Sequence, residues 1–169
     1  MTLLNLVTNA PLWVWALLAL LVLLGLRATR DRTAPVWLAV LPAMLVLLPI
    51  RTLTGLGAAL PVWLVFAAAY GTGIFVGARL QPRWITGRLP GRVGLRGETL
   101  TLALMLLIFL VNYALGVARA IAPDLVAQMA AQIGFAAMTG LPAGIFAGRA
   151  AHIATLAPTA SIAGTGDHV

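Results

Sequence analysis

The stretch TLTLALMLLIFLVNYALGVA, residues 99–118, runs for twenty residues without a charge. A helix rises 1.5 Å per residue, so this stretch is about 30 Å long, the thickness of the hydrocarbon core of a bilayer. Four more apolar stretches follow the same pattern, at about 11–26, 34–50, 60–78 and 125–148. The second is short and is interrupted by Pro42 and Pro49. Composition points the same way. The 169-residue chain is 62% hydrophobic and 9% charged, whereas a soluble domain carries about 25% charged residues. A core of this size could not hide so much apolar surface from water. The sequence therefore predicts an all-α integral membrane protein, a bundle of five transmembrane helices. Residues 1–150 form the membrane domain and 151–169 a short polar tail.

Residues 1–26 contain no charge, so a basic n-region is lacking and the first apolar run is expected to stay as a helix. There is no Cys, which excludes disulfides, thiolate chemistry and Cys-ligated zinc or iron–sulfur clusters. No cofactor and no metal are expected.

All eleven basic residues are Arg. Sorted by connecting loop, Arg27, Arg30, Arg32, Arg79, Arg83, Arg88, Arg92, Arg96 and Arg149 fall on one side and only Arg51 and Arg119 on the other. Basic short loops stay cytoplasmic, so the expected orientation is N-terminus out, C-terminus in, with loop 79–98 and the tail in the cytoplasm. That loop contains GRLPGRVGLRG (87–97). A phosphate-binding P-loop needs a Lys that this chain lacks. Nucleic-acid modules pair basic residues with aromatic platforms, and Trp84 is the loop's one aromatic. The arginines at 79, 83, 88, 92 and 96 are expected to hold topology and lie near anionic headgroups, with no nucleic-acid partner. The alternation around Pro90-Gly91 allows a small β-hairpin at the membrane surface.

YGTGIFVG (70–77) is not a dinucleotide fingerprint, because no strand precedes it and its spacing is one residue off. Gly73 and Gly77 instead make a GxxxG surface, and in GLPAGIFAG (140–148) Gly140, Gly144 and Gly148 recur every four residues along one stripe. Lipid supplies no hydrophobic push between helices, so close backbone packing through small residues must do that work.

The polar residues of the last two spans form the one candidate site. Asn112, Gly116 and Arg119 share a face of the fourth helix, and Gln128, Gln132 and Thr139 a face of the fifth. Asn112 and Gln132 both lie roughly 10 Å below the outer surface if the helices are antiparallel neighbours, with Tyr113 nearby. The two carboxamides are expected to bond across a tight helix hairpin that also uses Gly116 and the glycine stripe. They would act either as interhelical glue or as an outward-facing polar pocket rimmed by Arg119, with Asp124 offering Arg119 a partner. Glu98 is expected at the inner mouth of the fourth helix, where a carboxylate suits a helix N-terminus. No catalytic constellation is present.

Three stretches, TNAPLWVWALLALLVLLGLR (8–27), FLVNYALGVARAIAP (109–123) and GLPAGIFAGRA (140–150), resemble a family of small bacterial multi-spanning inner-membrane proteins of unknown function. The closing Gly-x-x-x-Gly-x-Phe-x-Gly-Arg pattern is also similar, more faintly, to CcdC-like membrane proteins. The resemblance implies a bacterial inner-membrane protein. The functional expectation is a non-enzymatic accessory, structural or assembly component, with a larger membrane complex or a homo-oligomer as its setting. The alternative is a small permease or channel-like transporter using the polar pocket.

Overall fold

The computed structural model describes residues 12–89 and 91–155. Pro11, Pro90 and the tail beyond Thr155 lie outside the described residues. The described residues open with helix α1 (Leu12–Ala28). Strand β1 (Arg32–Pro35) follows, then an apolar segment, Val36–Gly55, built in three pieces: α2 (Val36–Val40), a 3-10 turn (Leu41–Val46) and α3 (Leu47–Gly55). The break follows from the prolines. Pro42 has no N–H for the preceding turn and its ring would clash there, whereas Pro49 falls in the first turn of α3, where that N–H has no partner to lose.

Helix α4 (Leu60–Leu80) carries Pro61 in its first turn and ends in a 3-10 turn, Gln81–Trp84. Strands β2 (Ile85–Leu89) and β3 (Arg92–Leu95) come next, then α5 (Leu100–Ile121), the short α6 (Pro123–Ala127) and α7 (Met129–Thr155). Among the described residues, four segments are long and apolar enough to cross a membrane: Val36–Gly55, Leu60–Trp84, Leu100–Ile121 and Met129–Thr155. They mark a helical membrane protein. The described part of α1 is shorter than a full span, at 17 residues. Pro142 lies inside α7 and the helix continues through it to Thr155, beyond the expected end at 148.

Helix α7 is central. Phe135 and Ala136 pack with Leu53, Val62 and Phe66 toward one end. Ala143, Ile145 and Phe146 pack with Val14 and Leu21 of α1 and Leu104, Ile108 and Phe109 of α5 further along. Its closest neighbour is α4. A Cβ at Gly144 would strike the Tyr70 carbonyl, and one at Gly148 the Ile74 carbonyl. From the facing helix, a Cβ at Gly73 would meet the Leu141 carbonyl and one at Gly77 the Ile145 carbonyl. Gly140 is looser, 3.0 Å from the Phe66 oxygen. Two backbones touch along this seam because neither carries side chains there.

This corrects the expected pairing. The glycine stripe meets the third apolar stretch rather than the fourth, and Gly116 has nothing within 4 Å of an added Cβ. The connection explains why. Ala122 (φ −147°, ψ 62°) and Gln128 (ψ 133°) both leave helical geometry around α6, so α5 and α7 are joined through an elbow rather than a tight turn.

The expected hairpin in loop 79–98 is present as β2 and β3, with Gly91 at φ 73° in the turn, a left-handed conformation that glycine adopts without penalty. The all-α expectation is incomplete here, because β1 joins the same sheet. The strand order is β1-β3-β2, both pairings antiparallel, with Ala34 opposite Val93. Ala34, Val93 and Leu95 point inward onto Ile153 near the end of α7, while Arg92 is exposed. The loops that carry Arg27–Arg32 and Arg79–Arg96 are therefore one folded cap at one end of the bundle.

Candidate functional site

The polar residues of α5 and α7 do not come together. Asn112 donates through Nδ2 to the Ile108 carbonyl at 2.8 Å, and its Oδ1 accepts from the Thr52 hydroxyl at 3.1 Å. Arg119 donates through Nη2 to the Thr52 backbone carbonyl, also at 3.1 Å. Both residues thus tie α5 to α3, and Thr52 is the hub. Gln132 is buried and donates to the Val126 carbonyl of α6 at 3.4 Å, not to Asn112. Thr139, fully buried, donates back to the Phe135 carbonyl at 2.7 Å. Gln128 is exposed at the bend before α7. Tyr113 stacks on Phe109 with centroids 6.2 Å apart. Asp124 lies in the first turn of α6 but makes no ion pair with Arg119; the one ion pair among the described residues is elsewhere.

That pair is Arg149–Glu98, at 2.8 Å, with side chains 11% and 7% exposed. Arg149 lies on α7 one residue after the glycine seam and uses every nitrogen of its guanidinium. Nε donates to Gln81 Oε1 at 2.6 Å, Nη1 to Thr101 Oγ1 at 3.0 Å and Nη2 to Glu98 Oε1. The Arg149 Cζ lies over the Trp84 ring, 5.0 Å from the ring centroid, a cation–π arrangement. Glu98 in turn accepts from the Thr101 backbone N–H at 3.0 Å and from the Thr101 hydroxyl. Its expected place at the N-terminus of α5 is what the structure has. One arginine thus joins α7, the end of α4, the cap and the start of α5.

Sequence reasoning counted Arg149 only as a topological charge and passed over Gln81, Thr101 and Thr52. One local signal was available: Arg149 follows directly on the buried stripe, so its stem had to start from an interior helix face. Gln81 is wholly buried, and its Nε2 is left without a hydrogen-bond partner while its carbonyl is taken by Arg149. A buried, unpaired amide donor of this kind costs about 1–3 kcal/mol.

A cavity of about 270 Å³ lies between α1, the broken second segment and α5. Its walls are apolar, with Leu17, Leu21 and Leu24 on one side and Leu45 and Met105 on others. It is open at one side, where Leu20, Leu41 and Met44 along it are exposed. Arg27 and Arg32 stand at its cap end. Burial first, and the Arg27 charge second, hold the Arg32 guanidinium below its ordinary pKa, with Arg149 adding to the drop and Glu98 opposing it. Two like charges are thus kept close beside a greasy crevice.

The arrangement defines a multi-spanning helical membrane protein with a folded basic cap and a buried charge centre beneath it. Comparison with known proteins finds no match for the chain: no family model, no curated protein and no solved structure aligns with it significantly.

Proposed function

We propose that the chain is a non-enzymatic accessory or assembly component of a bacterial inner membrane, crossing it five times with its N-terminus outside and its cap inside. The observation that carries the reading is how the polar side chains are used. Asn112, Arg119 and Thr52 join α5 to α3, and Arg149 joins four elements at the cap. Polar groups spent on ties between helices suit a scaffold. A permease would gather them around a path, whereas Asn112 and Arg119 are both bonded to Thr52 of α3 and Gln132 to the Val126 carbonyl of α6. The orientation rests on the clustering of arginines: β1 and β3 bring two basic loops into one sheet at the Arg149 end, and Arg119 bonds at the opposite end of α5. Kinship with small multi-spanning bacterial proteins, and more distantly with CcdC-like proteins, belongs to the same proposal.

Affinity purification of the tagged full chain in native lipid nanodiscs is the test. A membrane partner recovered at constant stoichiometry through two purification steps is the expected result. Solute flux by the purified chain alone in proteoliposomes, without such a partner, would replace this reading with the permease.

A further inference from the structure

We propose that the crevice between α1, the second apolar segment and α5 holds one anionic glycerophospholipid, its phosphate between Arg27 and Arg32 and an acyl chain along Leu24, Leu21 and Leu17. The dimensions fit. From Arg27 to Leu17 is ten residues of α1, about 15 Å of rise, or half the roughly 30 Å hydrocarbon thickness. The crevice is therefore one leaflet deep, with its charges where headgroups lie and its apolar walls where chains lie.

Its volume, about 270 Å³, is close to the lower end of ordinary ligand pockets at about 300 Å³, a size for one chain rather than a whole lipid. Exposed Leu20, Leu41 and Met44 leave it open at the side, so a lipid can enter from the bilayer.

Charge selects the headgroup. Neither the Arg27 nor the Arg32 guanidinium has a hydrogen-bonded or ion-pair partner among the described residues. The acid that acts on Arg32 is Glu98, which is already bonded to Arg149 and Thr101. A phosphate with net negative charge relieves the repulsion between the two guanidiniums. A zwitterionic headgroup brings its own cation and relieves less. Exposed Arg83 and Arg92 of the cap are not among the residues that line this crevice.

The test is native mass spectrometry of the full chain, with dioleoyl phosphatidylglycerol or dioleoyl phosphatidylcholine titrated into detergent. The wild type is expected to retain one phosphatidylglycerol in preference to phosphatidylcholine. Arg27→Gln with Arg32→Gln should weaken phosphatidylglycerol about thirtyfold, from the usual contribution of two basic groups at an anionic surface, and leave phosphatidylcholine unchanged. Met44→Trp keeps both charges but fills the crevice, and its starting side chain is 62% exposed, so it should fold and still lose the lipid. Arg83→Gln with Arg92→Gln should leave retention as it was.

Equal retention of the two lipids by the wild type overturns the proposal, as does undiminished phosphatidylglycerol in both crevice variants. Equal loss on removing Arg83 and Arg92 reduces the effect to general surface charge and also overturns it. Displacement of the lipid by millimolar inorganic phosphate would make the site one for a free anion. Binding seen only after deletion of residues 2–11 would assign the crevice to the chain's own first residues.

Discussion

Arg149→Met is the sharpest perturbation of the buried charge centre. Methionine keeps an unbranched apolar stem and removes the guanidinium, so the seam beside Gly148 is left alone. Three hydrogen bonds vanish, to Gln81 at 2.6 Å, Thr101 at 3.0 Å and Glu98 at 2.8 Å. The larger consequence is Glu98, 7% exposed and left without its counter-charge. Stranding one member of a buried ion pair costs about 3–5 kcal/mol, against about 0–1 kcal/mol for an exposed pair. Adding Glu98→Gln removes the stranded charge and should restore part of the loss. A residue of about 1–3 kcal/mol should persist, because the buried Gln81 carbonyl still lacks a donor. Equilibrium unfolding in mixed detergent, followed by tryptophan fluorescence, reads both changes, and Trp84 at 5.0 Å from Arg149 reports locally. If Arg149→Met unfolds within about 1 kcal/mol of wild type, the centre is solvated and the reasoning is refuted.

Two further outcomes test the packing and the orientation. Gly144→Leu should destabilise by at least the roughly 1–3 kcal/mol typical of overpacking, because its Cβ already strikes the Tyr70 backbone, whereas Gly116→Leu should stay within about 0.5 kcal/mol; equal effects in a thermal melt would mean the seam does not pair α4 with α7. A Cys introduced at Gly91, in an otherwise Cys-free chain, should resist an impermeant thiol reagent applied to intact cells and react once the membrane is opened; labelling from outside would reverse the proposed orientation.

How much of this was legible in the sequence follows from the range of each force. Hydropathy along 60–78, 99–118 and 125–148 located three of the four long apolar helices within a few residues at most ends, because the cost of exposing backbone in lipid acts segment by segment. Pro42 and Pro49 announced the broken second segment, since a missing N–H acts within one turn. Glu98 at the start of α5 and the hairpin around Gly91 were readable for the same reason: their partners lie within a few residues.

The choice of partner was not readable. The stripe of Gly140, Gly144 and Gly148 declares a surface for close approach but carries no label for the helix that fills it. It took the tertiary structure to set that stripe against Gly73 and Gly77. Asn112 at a matching depth to Gln132 looked like a pair, yet the hydroxyl of Thr52, sixty residues away, holds it. Likewise β1 finds β3 across about sixty residues, and Arg149 finds Glu98 across fifty-one. By itself the sequence determined that these segments are helices for lipid and which end is basic, because burial and charge are summed along the chain. The tertiary structure decided which faces meet, because in lipid every apolar face is equally acceptable and only close fit and a few long-range polar bonds distinguish one neighbour from another.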